Sequence, residues 1–421
     1  MATAPPAPKS TVVTIGDEVL LGDTVDTNAA RIGRALDELG APVLRREVVG
    51  DDAGAIQGAV ARALADGELV LVSGGLGPTP DDLTRTAVAE LLGAALRLDP
   101  GTAEALRARF HALGFRDFPE RNLAQAMVPV GARVLPNQLG TAPGLALERE
   151  GRWVVLLPGV PRELEGMLAG PVVELVRELF AGRLRPPHHR FVCTTGIAES
   201  RLAERIEALL PADRGPVRLA YLPSLRGVDL RFTVPGDVDP ADARVWLDRM
   251  EDALGELERY RFRGDDLVAA VAELLVDGRR TVAVGESCTG GLLAKRMTDL
   301  PGSSRWFLGG VIAYANAAKT ALVAVPPALI ERVGAVSEEV ARALAVGAAR
   351  SFGADAGVGI TGIAGPDGGT PEKPVGTVCY AVALGEAVTS KRRLFPGDRV
   401  AVRERAAQAA LHLLYRALLG A

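Results

Sequence analysis

The chain has only three cysteines, Cys193, Cys288 and Cys379. They stand far apart, match no zinc-ligand spacing and form no disulfide framework, which points to a reducing, cytoplasmic setting. No apolar run approaches the roughly 20 residues that a membrane span requires. The small, proline-rich opening residues lack the apolar core of a secretory leader. A net charge of −4 argues against a general nucleic-acid or membrane surface. Nothing repeats at a solenoid period, and no tract is of low complexity. Lysine is scarce as well: of 48 basic residues only Lys9, Lys295, Lys319, Lys373 and Lys391 are lysine, and the rest are arginine. Where this sequence merely needs positive charge it uses arginine, which keeps its proton in a protein. A desolvated lysine can lose its proton and act as a base.

A length of 421 residues exceeds one hydrophobic core, so two or three domains are expected. With 48% hydrophobic and 24% charged residues the composition is globular. Strand and helix signals alternate at the start: a buried strand over 12–15, a helix from Asp26 or Thr27 to Leu39 that stops at Gly40, a strand over 42–48, a helix over 53–64 and a strand over 69–72. That alternation predicts a doubly wound parallel sheet with ligands at the carboxyl ends of its strands. A further strand is expected over 153–157. An Arg- and Pro-rich linker covers 182–189. Residues 190–260 read as a small α+β unit, with a helix over 200–210, a hairpin from 217–222 and 228–234, and a helix over 241–257. It holds no catalytic constellation. From 264 the α/β rhythm returns, with helices over 267–276, 289–300, 338–352 and 400–419 and strands over 281–284, 306–313, 356–360 and 376–384. The fold class expected is α/β, in three parts: 1–182, 190–260 and 264–421.

Two clusters carry chemistry. The first is Gly285-Glu286-Ser287-Cys288-Thr289-Gly290-Gly291, followed by Gly302-Ser303-Ser304, Tyr314 and Lys319. Glycines after a strand permit a tight turn, and the N–H groups opening a helix suit an anion; the alternative is an ordinary N-cap by Thr289. The loop Thr361-Gly362-Ile363-Ala364-Gly365-Pro366-Asp367-Gly368-Gly369 follows an apolar strand and allows close backbone approach to a ligand. The second cluster is Gly16-Asp17-Glu18, Ser73 to Thr79 and Asp81-Asp82. Its glycines open the backbone to phosphate, and its carboxylates suit a hard divalent cation; the alternative is helix capping by Asp81 and Asp82 ahead of Thr84.

The motifs Glu286-Ser-Cys-Thr-Gly-Gly, Gly302-Ser-Ser, Tyr314-Ala-Asn-Ala-Ala-Lys319, Gly334-Ala-Val-Ser337 and Gly362-Ile-Ala-Gly-Pro-Asp-Gly-Gly369 resemble the nicotinamide mononucleotide deamidase family. Its members hydrolyse a pyridine carboxamide to the acid and ammonia. The resemblance implies Ser304 as nucleophile and Lys319 as its base, a serine–lysine variant of the serine–histidine pair. The residues themselves leave Ser303 and Ser304 as alternatives. Tyr314 and Thr361 would orient or polarise the amide, and Ser287, Thr289, Gly290 and Gly365 would hold substrate, with no cofactor required. The family usually writes Ala where this chain has Gly285, and Tyr-Ser-Asn-Glu-Ala-Lys where this chain has Ala315 and Ala317; neither departure removes a proposed catalytic group.

The amino-terminal third resembles the molybdopterin-binding fold of the competence- and damage-inducible protein A family, CinA. The carrying residues are Gly16-Asp-Glu-Val-Leu-Leu-Gly22, Thr27-Asn28, Gly74 to Asp82, Asn137 to Gly144 and Leu157-Pro-Gly-Val-Pro161. In that family the domain is associated with metal-dependent hydrolysis of ADP-ribose to AMP and ribose 5-phosphate. The resemblance implies Asp81 and Asp82 as metal ligands and Gly16, Asp17, Glu18, Asn28, Gly74, Gly75, Gly77 and Thr79 around the substrate. The ion would be a divalent metal, with potassium as a second candidate. Residues 190–260 resemble the KH-like segment of the same proteins but lack its Gly-x-x-Gly loop, so nucleic-acid binding is not expected. The expected partners are nicotinamide mononucleotide, ADP-ribose and a second copy in a homodimer, with no membrane. The alternatives to this bifunctional hydrolase are a molybdopterin-binding protein and a non-enzymatic competence or recombination adaptor.

Overall fold

The computed structural model describes residues 5–112, 114 and 117–420. The chain divides into two compact units, 1–188 with 235–240, and 189–234 with 241–421.

In the first unit, six strands lie in the order Val43–Val49, Ser10–Ile15, Leu69–Ser73, Arg152–Leu157, Gly144–Arg149, Arg133–Leu135. The first four are parallel and the last two antiparallel. The parallel strands are buried on both faces, which is why they read as unbroken apolar runs. The expected helix from Asp26 forms as Thr27–Leu39; the Asp26 carboxylate accepts from Ala29 N, and Gly40 at φ 75° ends it in the left-handed region.

The second unit holds two sheets. The segment that resembles a KH domain carries three strands, in the order Arg218–Pro223, Val228–Val234, His188–Thr194, with helices Glu199–Leu209 and Pro240–Asp252. The helix expected over 241–257 stops at Asp252, and a 3-10 turn from Gly255 to Tyr260 completes the stretch. The carboxy-terminal sheet runs Phe307–Ile312, Val282–Glu286, Ala356–Gly362, Thr377–Leu384, Ala387–Leu394. Its first three strands are parallel and its last two antiparallel. Leu267–Asp277 and Arg399–Leu418 pack into the core on one face, and Glu338–Phe352 contributes to the cores on the other.

One expected helix begins late. The helix anticipated from 289 starts at Leu292, because Gly290 and Gly291 take φ of 59° and 90°, a conformation glycine adopts without steric cost. Ser287 to Gly291 is therefore a turn, closed by Gly290 N donating to the Ser287 carbonyl at 3.0 Å, and Thr289 does not cap the helix.

Candidate active sites

The parallel strand Val282–Glu286 delivers its loop to the carboxyl edge of the carboxy-terminal sheet, as the central strand Ala356–Gly362 delivers Thr361. The buried Glu286 carboxylate takes over the capping role. It accepts from Gly291 N (3.0 Å), Leu293 N (3.2 Å) and Ala294 N (2.8 Å), satisfying three donors that a helix start leaves open. Arg403 fixes the loop from the other side, donating through Nη2 to the Thr289 carbonyl at 2.7 Å. Thr289 itself is fully buried, and its hydroxyl has no hydrogen-bond partner among the described residues. Thr289→Val is therefore expected to change the unfolding free energy by less than about 0.5 kcal/mol, since no bond is lost. Denaturant titration checks this; a loss above about 1 kcal/mol contradicts it.

Lys319 stands on the helix Asn316–Val323, just past the carboxyl end of the neighbouring strand. It is 2% exposed. Its ammonium donates to the Tyr314 carbonyl at 3.0 Å and to Asn316 Oδ1 at 3.5 Å, and no carboxylate pairs with it among the described ion pairs. Burial pushes its pKa down, and the nearby Cys288 thiol is buried as well. That thiol is itself pushed up to about 12, chiefly by burial, so it stays protonated and uncharged at neutral pH. Tyr314 is exposed, and its phenol oxygen accepts from Arg399 Nη2 at 2.9 Å while Arg399 Nη1 donates to the Gly365 carbonyl at 2.7 Å. The phenol hydrogen remains free to donate. Thr361 donates to the Ala335 carbonyl at 2.8 Å, leaving its oxygen as an acceptor. Ser287, Thr289, Gly290, Tyr314, Lys319, Thr361 and Gly365 thus share one edge of the sheet. Arg399, absent from the sequence-based set, ties two of them together.

Ser304 does not join them within the chain. It lies in the turn Ser303–Arg305, ahead of the strand Phe307–Ile312. The parallel register sets Phe307 beside Val282 and Ile312 beside Glu286. Ser304 is therefore at the amino edge and Lys319 beyond the carboxyl edge, separated by a strand of roughly 20 Å at about 3.3 Å per residue. Among the described residues no hydrogen bond links them. The expected Ser304–Lys319 pair is not formed.

At the amino-terminal site, the Gly74–Thr79 loop leaves the carboxyl end of Leu69–Ser73. Gly74 at φ 115° lies against the Ile15 carbonyl, where a Cβ would clash. Asp82 spends both oxygens on this loop: Oδ1 accepts from Gly77 N at 2.7 Å, Oδ2 from Thr79 N at 2.8 Å and from the Thr79 hydroxyl at 2.5 Å. The buried Arg85 clamps the loop from beneath through the Leu76 carbonyl at 2.9 Å, and burial lowers its pKa to about 10. Asn28 reaches the same edge, donating to Ser73 Oγ at 3.1 Å and to the Gly159 carbonyl at 2.7 Å. Asp17 and Asp51 exchange backbone-to-carboxylate bonds at 3.0 and 3.2 Å. Burial first, then the charges of Asp17, Glu18 and Asp81, raise the Asp51 pKa; Asp51 was not legible as a site residue. Among the described residues no group of three or more His, Cys, Asp or Glu is placed to hold a metal ion.

Three family models match the chain: the CinA C-terminal domain over residues 264–418, a probable molybdopterin binding domain over 11–178 and the damage-inducible protein CinA KH domain over 189–258. A CinA-like protein from Gemmatimonas aurantiaca is 47% identical, covering 96% of this chain and 95% of its own length. A putative competence-damage inducible protein from Symbiobacterium thermophilum is 43% identical, covering 97% and 98%. A solved CinA structure from Thermoplasma acidophilum is 40% identical over 41% of this chain and 98% of its own, with a TM-score of 0.37.

Proposed function

The chain belongs to the CinA family, with a molybdopterin-binding-like amino-terminal domain, and from that premise we propose a bifunctional pyridine-nucleotide recycling hydrolase. Its carboxy-terminal part would hydrolyse nicotinamide mononucleotide to nicotinate mononucleotide and ammonia. Its amino-terminal part would hydrolyse ADP-ribose to AMP and ribose 5-phosphate. The observation that carries the first reading is Lys319: a buried lysine without a carboxylate partner among the described residues, in a chain that uses arginine nearly everywhere else.

In the proposed reaction a serine oxygen attacks the carboxamide carbon while the Lys319 amine takes its proton, and Ser287, at the same carboxyl edge of the sheet as Lys319, takes the place that the sequence reading gave to Ser304. The tetrahedral intermediate collapses as the C–N bond breaks, and Lys319 returns the proton to departing ammonia. Water, deprotonated by the same amine, then cleaves the acyl-serine. The free phenol hydrogen of Tyr314 suits the carbonyl oxygen as charge builds on it, and the Thr361 oxygen suits an amide N–H.

For the amino-terminal site we propose phosphate binding by the Gly74–Thr79 backbone together with a divalent metal. No three-carboxylate cage stands ready. A magnesium-like ion that arrives with the pyrophosphate needs only one or two protein carboxylates, and Asp81, with Asp82, is the proposed set. The ion would neutralise charge on the phosphoryl oxygens. Asp82→Asn keeps an acceptor for the loop but removes the charge, and is expected to lower ADP-ribose turnover about 100-fold or more. Turnover and metal dependence left intact would remove Asp82 from the site.

The match of residues 11–178 to a molybdopterin binding domain favours a second reading, in which that loop holds a pterin phosphate. Separate incubations with nicotinamide mononucleotide, ADP-ribose and molybdopterin, with and without divalent metal, distinguish the readings by their products. No product from any of them would leave the adaptor role.

A further inference from the structure

The KH-like segment and the carboxy-terminal sheet belong to one compact unit, and between them lies a cavity of about 880 Å³ that shares no residue with either candidate active site. Ligand pockets commonly enclose about 300–1,000 Å³. Two periodicities build its walls. On the edge strand Ala387–Leu394, Thr389, Lys391 and Arg393 alternate onto one face, and the ladder sets Lys391 beside Tyr380. On the helix Arg399–Leu418, Arg405, His412 and Arg416 recur at spacings of seven and four, which share a helix face. Arg226 and Arg259 line it from the KH-like side. An ion pair of Arg226 Nε with Glu404 Oε2 at 3.7 Å and a bond from Arg416 Nη1 to the Glu258 carbonyl at 3.4 Å tie the walls together.

In a chain of net charge −4, six bases face this cavity and a single acid, Glu199. Of the six, Arg226 alone has a carboxylate partner among the described ion pairs. Charge on an edge strand ordinarily deters pairing with another sheet, but that does not account for the helix face or the two KH-like arginines lining the same space. Among these charges His412 Nε2 is buried with no hydrogen-bond partner among the described residues. Burial, then the charges of Arg416, Lys391 and Arg393, lower the His412 pKa to about 4, so the imidazole is neutral at pH 7. Uncompensated positive potential in a concave site draws in anions. The rest of the wall is apolar and aromatic, with Tyr260, Tyr380, Phe395 and Leu413.

We propose that this cavity binds a nucleoside polyphosphate, with its phosphates on the arginines and Lys391 and its base against the aromatic wall. Arginine forks match phosphate oxygens, and aromatic faces accept a flat heterocycle. A bare inorganic anion would leave the aromatic wall unused, and an uncharged nucleoside would leave the cations unused. The site stands apart from the deamidase and pyrophosphatase readings and does not depend on them.

The test is calorimetric titration of the full chain with ATP, without divalent metal and at low salt. ATP is expected to bind the wild type, and more weakly as salt is added. The double variant Lys391→Glu with Arg393→Glu is expected to bind it about 10-fold more weakly or worse. Both side chains are exposed, so its thermal transitions should match those of the wild type. Arg259→Ala, on the opposite wall, is expected to weaken binding as well and covers the case in which the double variant does not fold. Asp82→Asn, at the amino-terminal loop, is expected to leave this binding in place. Adenosine and inorganic tripolyphosphate should each bind less tightly than ATP. No ATP binding by the wild type, or equal binding by it and the charge variants, would make the six bases a solvated face and overturn the site. Tripolyphosphate held as tightly as ATP would overturn the nucleoside part of the assignment.

Discussion

Lys319→Arg is expected to release ammonia from nicotinamide mononucleotide about 1,000-fold more slowly than the wild type, or not measurably. The substitution keeps a cation at the same place but removes the ability to give up a proton, and general-base catalysis contributes about 10²- to 10⁴-fold. Lys319→Met separates this from a packing effect, since methionine fills a similar volume without charge. The two variants also read the cost of the buried ammonium. Its folded-state pKa is depressed, so the unfolded chain binds the proton more tightly. Stability should rise with pH across the window between that depressed pKa and the ordinary lysine value of about 10.4. Below the window the penalty is fully present. Lys319→Met should lose that slope and be at least as resistant to denaturant at pH 7 as the wild type, while being catalytically dead. Wild-type turnover in Lys319→Arg would rule out the base.

Glu286→Ala carries the largest expected cost in stability. Its carboxylate is the shared acceptor for Gly291, Leu293 and Ala294 N–H groups, and the side chain is buried. Alanine leaves those donors at a dry helix start with nothing in their place. Charge-assisted bonds to a cap of this kind put the loss at about 3 kcal/mol or more. Because the chain has two compact units, calorimetry should show the transition of the carboxy-terminal unit falling by several degrees while the other stays in place. Glu286→Gln, which keeps one acceptor oxygen, should fall between. An unchanged transition in Glu286→Ala would mean that the loop is held by Arg403 alone.

The parallel strands were legible because burial on both faces removes polar residues from their sequences, as in 12–15, 69–72 and 356–360. The edge strand Ala387–Leu394 was not, since its Ala-Val-Thr-Ser-Lys-Arg-Arg-Leu is largely exposed and lacks an apolar period. The late helix start at Leu292 came from Gly290 and Gly291, whose positive φ values a propensity argument does not foresee. Arg399 was hidden at the opening of a helix that reads as packing, and Asp51 as a single acid after a strand. The separation of Ser304 from Lys319 is the most instructive case. A strand was expected between them, at 306–313, and a strand between two residues puts them at opposite edges of a sheet. Motif order along a chain names candidate residues; it does not say which of several serines the fold brings to the lysine's edge of the sheet.

Having five lysines in the whole chain makes the central claim directly measurable. In protein carrying ¹³C-labelled lysine, five side-chain signals should titrate in the NMR spectrum, and the one missing in Lys319→Met is Lys319. That signal is expected to lose its proton at clearly lower pH than the ordinary lysine value of about 10.4. A Lys319 titrating near 10.4 would show an ordinary ammonium where the proposed reaction requires a base.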